Sequence, residues 1–183
     1  MTSLTRLTGA LLAALACVTV SASATQAAVD GSVSGPLSIR NLKSGKCLSV
    51  PAASKDFAYL NQFTCGSPFV WPDQVWTYES VGQANGLTWY KVVNRNSGLC
   101  LSVDAASRDD FAGVTQYPCG SPALYPDQYW TFLYDPARRM DQIKNRNSGK
   151  CLAIQDGDTS DTAAAIQYQC GTWEDHYWHF GSI

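Results

Sequence analysis

Three short strings in this sequence set an aromatic ring beside a carboxylate: Trp71-Pro72-Asp73, Tyr125-Pro126-Asp127 and Trp173-Glu174-Asp175. Each ends three residues before a tryptophan, Trp76, Trp130 or Trp178. A ring face covers C–H groups and excludes water, while an ionised carboxylate accepts more than one hydroxyl donor. Together they suit a neutral, hydroxylated ligand. In the first two strings Pro stiffens the loop and holds the ring open. The same strings admit a structural use, with the ring folded over a hairpin end and the Asp bonding its own turn.

Catalysis finds no matching set. The two histidines, His176 and His179, lie together near the end. A nucleophile needs an adjacent base, and glycoside cleavage needs two carboxylates across one cleft. Here the acidic residues recur at symmetric loop positions, as binding sites do, so no enzyme is expected. A formal net charge of −2 with 15% charged residues offers no cationic surface for nucleic acid. Widely spaced cysteines with two histidines match no zinc pattern. No metal, cofactor or nucleic-acid partner is expected.

A repeat must position these strings. Asn94-Arg95-Asn96-Ser97-Gly98-Leu99-Cys100-Leu101 returns as Asn145-Arg146-Asn147-Ser148-Gly149-Lys150-Cys151-Leu152, and a looser copy begins at Arg40-Asn41. Each copy continues to a second Cys and then to Gln74/Trp76, Gln128/Trp130 or His176/Trp178. The repeats span about 36–80, 87–134 and 140–183, within one domain over 36–183.

The N-terminus reads as an address. Arg6, an apolar run over 7–20 and the small residues of 21–28 form a secretory signal peptide over 1–28. Cleavage after Ala24, Ala27 or Ala28 fits, and Cys17 sits in a poor lipoprotein-like context. Residues 29–35 read as a short flexible lead. The expectation is a secreted, extracellular monomer with no membrane span. Removal of Cys17 leaves six of seven cysteines, which permit 15 pairings. Cys47–Cys65, Cys100–Cys119 and Cys151–Cys170, at spacings of 18, 19 and 19, respect the threefold pattern. An oxidising compartment allows them.

Each copy suggests four short strands, twelve in all, with turn residues between them and no long helical period. The joints at 81–86 and 135–139 are turn-rich. Propellers need more blades, and a sandwich needs no threefold repetition. A β-trefoil, an all-β barrel of three pseudo-equivalent four-stranded repeats, fits. Trp76, Trp130 and Trp178, with Leu48, Leu101 and Leu152, belong at its shared core.

Cys-Leu-x-Val followed by a second Cys and Gln-x-Trp, in three copies, resembles the ricin-B-type lectins, the QxW β-trefoils. The likeness covers about 36–183. It rests on Cys47-Leu48-Ser49-Val50 with Asp73-Gln74-Val75-Trp76, on the matching strings at 100–103 and 127–130, and on those at 151–154 and 175–178. It implies a free-standing lectin that binds carbohydrate, galactose-type or polysaccharide, at up to three shallow sites. The alternative is a trefoil with degenerate sugar sites that binds or inhibits a protein.

The resemblance places the stacking aromatics two before each second Cys, at Phe63, Tyr117 and Tyr168. It places polar contacts at Asp73, Asp127 and Asp175, and at Gln74 and Gln128, which can equally serve the fold. Trp71, Tyr125 and Trp173 add the loop rings. The family's Asp two residues after the first Cys is Ser49, Ser102 or Ala153 here, a weaker partner in two copies and none in the third. Asp104 and Asp156 are stand-ins. The second copy, with Tyr117, Tyr125, Asp127, Gln128 and Asp104, ranks first.

Overall fold

Each repeat turns on an asparagine that uses both ends of its amide. In Asn94-Arg95-Asn96-Ser97-Gly98 the Asn94 Oδ1 accepts the backbone N–H of Asn96 at 3.0 Å and of Ser97 at 3.2 Å. Gly98 closes the turn at φ +73°, a conformation that a β-carbon disfavours. The Asn94 Nδ2 then donates to the carbonyl of Asp73 in the preceding repeat at 2.7 Å. Asn145 does the same to Asp127 at 2.7 Å, and Asn41 to Asp175 at 2.8 Å. Three such links run from lobe to lobe and return to the start.

The computed structural model describes residues 33–183, so the expected signal peptide and residues 29–32 lie outside the described residues. The first lobe holds β1 (Val33–Asn41), β2 (Cys47–Ser49), β3 (Ala58–Tyr59), β4 (Asn61–Phe63) and β5 (Trp76–Ala84). The second holds β6 (Leu87–Asn94), β7 (Cys100–Val103), β8 (Val114–Tyr117) and β9 (Tyr129–Asp135). The third holds β10 (Met140–Asn145), β11 (Cys151–Ile154), β12 (Ala165–Tyr168) and β13 (Tyr177–Ser182).

Six strands close a ring, all antiparallel: β1 pairs β5, β5 pairs β6, β6 pairs β9, β9 pairs β10, β10 pairs β13, and β13 returns to β1. The hairpins β2–β4, β7–β8 and β11–β12 cap one end. This is the β-trefoil. In register, Asn41 opposes Trp178, Asn94 opposes Trp76 and Asn145 opposes Trp130.

Trp76, Trp130 and Trp178 are wholly buried and pack in one core with Leu48, Leu101 and Leu152. Each indole donates to a leucine carbonyl of its own lobe, at 3.2, 2.9 and 3.0 Å. No polar atom of the pillar is thereby left unpaired in the apolar interior. Two residues further on, Tyr78, Phe132 and Phe180 meet with centroids 4.7–5.9 Å apart. The three disulfides close within lobes, Cys47–Cys65, Cys100–Cys119 and Cys151–Cys170.

Three details depart from the sequence reading. The lead over 29–35 is not loose throughout, because β1 begins at Val33 and pairs there with Glu79 on β5. The joint at 81–86 is mostly strand: β5 runs to Ala84, and Asn85-Gly86, both at positive φ, form a hairpin turn. Among the described residues thirteen strands replace twelve, because Leu60 interrupts the third strand of lobe one. Its side chain enters the core, its N–H bonds Val114 at 2.8 Å and its carbonyl accepts from Ala165 at 3.0 Å.

Candidate functional site

A concave pocket walled by aromatic rings opens on each lobe, at pseudo-equivalent positions. Lobe one forms about 230 Å³ between Ser49, Phe63, Trp71 and Asp73. Lobe two forms about 360 Å³ between Ser102, Asp104, Tyr117, Tyr125 and Asp127. Lobe three forms about 350 Å³ between Ala153, Asp156, Tyr168, Trp173 and Asp175. The rings and carboxylates singled out in the sequence therefore come together, lobe by lobe.

The glutamines do not join them. Gln74 Nε2 donates to the Thr64 carbonyl at 3.0 Å and its Oε1 accepts from Gly66 N–H at 3.0 Å. Gln128 repeats this with the Pro118 carbonyl at 2.9 Å and Gly120 N–H at 2.7 Å. Both are buried and tie the Cys-Gly turn to the barrel. Both side-chain amides are engaged with backbone, and neither lines the pocket of its lobe.

The aspartates are also largely withdrawn. Asp73 Oδ2 accepts from Ser49 Oγ at 2.5 Å and from Val50 N–H at 3.2 Å. Asp127 Oδ2 accepts from Ser102 Oγ at 2.6 Å, and its Oδ1 is buried with no protein partner. In lobe three Ala153 has no hydroxyl to offer. No described residue donates a hydrogen bond to the Asp175 carboxylate; His176 Nε2 stands 3.6 Å from Oδ2. His176 is buried where lobes one and two place Gln, and its Nδ1 has no partner. Burial pushes its imidazole pKa below the ordinary value, and Asp175 pulls it partly back.

Each loop ring lies against the glycine after the second Cys. A β-carbon on Gly66, Gly120 or Gly171 would collide with Trp71, Tyr125 or Trp173. Each ring is folded back on the turn and also lines the pocket of its lobe. The rings rest on the turn yet stay 38%, 38% and 54% exposed beside the pockets.

The sequence reading missed what crosses between lobes. Phe57 of lobe one reaches the lobe-two pocket, 6.3 Å from the Tyr117 ring. Phe111 of lobe two lines the lobe-three pocket, 4.9 Å from Tyr168. Aligning Asp56-Phe57-Ala58, Asp110-Phe111-Ala112 and Asp161-Thr162-Ala163 would have flagged the position. Tyr59 also crosses, donating its hydroxyl to Asp104 Oδ2 at 2.7 Å. It passes over Gly113, where a β-carbon would lie 2.7 Å from the ring.

Also missed were three wholly buried glutamines, each three before a second Cys: Gln62, Gln116 and Gln167. Gln116 accepts from Ser97 at 2.8 Å and donates to the carbonyls of Ser54 and Asp56 in lobe one at 3.0 and 2.6 Å. They hold the loops that carry Phe57, Phe111 and Thr162. Among the described residues no group of three or more His, Cys, Asp or Glu is arranged to hold a metal, and no helix is long and apolar enough to cross a membrane.

A closed threefold barrel with one aromatic pocket per lobe defines a trefoil of the lectin type. The sequence profile of the ricin-type beta-trefoil lectin domain-like family matches residues 26–117, 72–168 and 126–182, and the chain belongs to that family. Among solved structures it is similar to ThreeFoil, a designed 3-fold symmetric protein, at 30% identity and a TM-score of 0.69, covering 80% of this chain and 98% of that one. It is similar also to an exo-beta-1,3-galactanase from Clostridium thermocellum, at 26% identity and a TM-score of 0.71. There the match covers 80% of this chain but 30% of the other. The hemolytic lectin CEL-III matches at 25% identity and a TM-score of 0.58, over 80% of this chain and 29% of that chain. Compared with curated proteins by sequence, the chain matches none.

Proposed function

We propose that this protein is a secreted, non-enzymatic carbohydrate-binding protein with up to three shallow sugar sites. The observation that carries the reading is the threefold recurrence of a ring-walled pocket. Phe63 and Trp71, Tyr117 and Tyr125, and Tyr168 and Trp173 face three pseudo-equivalent hollows. A pyranose places its C–H face on such a ring and its hydroxyls toward Asp104 or Asp175. Family membership and lectin neighbours such as CEL-III support the same class of ligand. Weak single sites gain strength on a repetitive polysaccharide, because the second contact becomes intramolecular.

The test is a glycan array with a pull-down on insoluble polysaccharides, using the mature chain. Millimolar or tighter binding, competed by a free sugar, is expected. No binding across the panel counts against the reading.

A second reading rests on loop tips in lobes one and two, where Phe69 is 97% and Leu124 77% exposed. Such tips suit a protein partner. Capture of one purified partner, unaffected by sugars and lost in Phe69→Ser with Leu124→Ser, would favour it.

A further inference from the structure

A further cavity of about 260 Å³ lies between Pro68, Pro72, Val75, Arg95 and Asn96. It shares no lining residue with the ring-walled pocket of lobe one. Its cause is one side chain. The residue before each buried indole is Tyr129 in lobe two and Tyr177 in lobe three, 3% and 5% exposed, but Val75 in lobe one. The backbone around the three is alike: the carbonyls of Val75, Tyr129 and Tyr177 accept from the N–H groups of Arg95, Arg146 and Leu42 at 2.8, 2.8 and 2.9 Å. Valine is shorter than tyrosine by a whole phenol ring. A cavity of about 150 Å³ is enough for benzene, so this one has room for that ring.

Lobes two and three show what the ring does in this place. Tyr129 Oη donates to the carbonyl of Gly120 at 2.7 Å. In lobe three Gln142, opposite Tyr177 in register, donates to the matching carbonyl of Gly171 at 2.6 Å. The Arg138 guanidinium lies 4.5 Å from the Tyr177 ring centroid. In lobe one the matching carbonyl, that of Gly66, accepts from no described residue. Ser38 stands one place past the Leu37–Trp76 pair, where lobe three has Gln142, and turns instead to the Gly181 carbonyl at 3.5 Å. Arg95 forms no ion pair with a described carboxylate. The place thus offers an apolar floor, a cation and a carbonyl acceptor. A phenol ring answers all three, with C–H groups, a π face and a hydroxyl.

We infer that lobe one carries a socket for a phenol ring brought by a second molecule, the tyrosine side chain of a partner protein. The ring rests on Pro68, Pro72 and Val75, Arg95 covers its face, and the Gly66 carbonyl accepts its hydroxyl. The source follows from the loop between the two prolines. Phe69 and Val70 stand there 97% and 67% exposed, and a small free phenol would leave both in water. A protein surface that presents a tyrosine covers them too, and tyrosine is enriched at such surfaces. The socket lies outside the three sugar pockets and rests on the protein-binding reading only for the source of the ring.

The test is a titration of the mature chain, followed by amide NMR, with N-acetyl-tyrosinamide, its phenylalanine counterpart, 4-cresol and a capped glycyl-tyrosyl-glycine peptide. Saturable shifts are expected at Val75, Arg95 and Asn96. The phenylalanine compound should bind severalfold more weakly, for want of the hydroxyl. Val75→Tyr fills the socket from within, as in the other lobes, and should abolish binding while the melting temperature holds or rises. Arg95→Gln, at an exposed position, keeps the fold and should weaken binding about two- to fivefold. Absence of saturable shifts at the three amides, binding that survives Val75→Tyr, or affinity unchanged in Arg95→Gln overturns the socket. Binding of 4-cresol as tight as that of the peptide overturns the protein source. Sugar binding in lobe two, read at Tyr117, should be the same in Val75→Tyr, so failure of the socket leaves the carbohydrate reading standing.

Discussion

Asn145 reaches across a lobe boundary to the backbone carbonyl of Asp127, 2.7 Å from its Nδ2. The same side chain holds the turn that starts its own lobe through Asn147 N–H at 2.9 Å and Ser148 N–H at 3.2 Å. One wholly buried residue thus joins local structure to assembly. Asn145→Ala should lower unfolding free energy by about 1–3 kcal/mol, because buried partners are left unpaired. Urea denaturation measures it. A change under a few tenths would mean that the link is dispensable.

Trp130 and Tyr117 separate core from contact. Trp130 is wholly buried, whereas Tyr117 is 41% exposed. Trp130→Ala should destabilise by about 3–5 kcal/mol. Tyr117→Ala should leave the melting temperature close to the parent. Its lobe-two sugar affinity should fall by about 1–3 kcal/mol, by analogy with bases stacked on rings. Calorimetry with a bound sugar reads both. Equal unfolding penalties would make Tyr117 a packing residue.

Gln128 sits beside the lobe-two pocket without lining it. Gln128→Ala should cost about 1–3 kcal/mol of stability, since Gly120 N–H and the Pro118 carbonyl lose their partner. Sugar affinity of the folded protein should be unchanged. A selective loss of affinity with an unaltered melt would return Gln128 to the binding site.

His176 predicts a pH dependence. Burial holds its folded-state pKa below the ordinary 6.5. The unfolded chain therefore binds this proton first, so the stability is present above about pH 6.5 and is lost as pH falls through the lower folded value. His176→Gln should flatten that slope, and its amide can reach the Cys-Gly turn as in the other lobes. Asp110, Asp135 and Asp158 act in a separate window: hydrogen bonds hold their pKa values below 3.8, so their share is lost only in stronger acid. Thermal melts from pH 7 to pH 4 on both proteins test this. An equal slope in the two would remove His176 as its source.

The triplicated strings and paired cysteines carried the architecture on their own, because repetition at a fixed spacing repeats local geometry. Turn glycines, the Cys-Leu-x-Val strings and the Gln-x-Trp spacing each act within a few residues, where sequence order and spatial order agree. For the same reason the ring-bearing loops were legible from Trp71, Tyr125 and Trp173. The split at Leu60 was not, because its backbone bonds go to Val114 and Ala165 in other lobes.

Spacing alone could not assign work to the polar residues. Asp73, Asp127 and Asp175 stand alike in the sequence, yet two are tied by serines and the third is not. Gln74 and Gln128 resemble ligand contacts until their backbone partners are seen. Phe57 and Phe111 enter pockets of lobes to which they do not belong. Hydrogen bonding and burial depend on what closes around a side chain: for Asp73, Asp127, Gln74 and Gln128 that closure comes from other strands and turns of the same lobe, and for Phe57 and Phe111 from the neighbouring lobe.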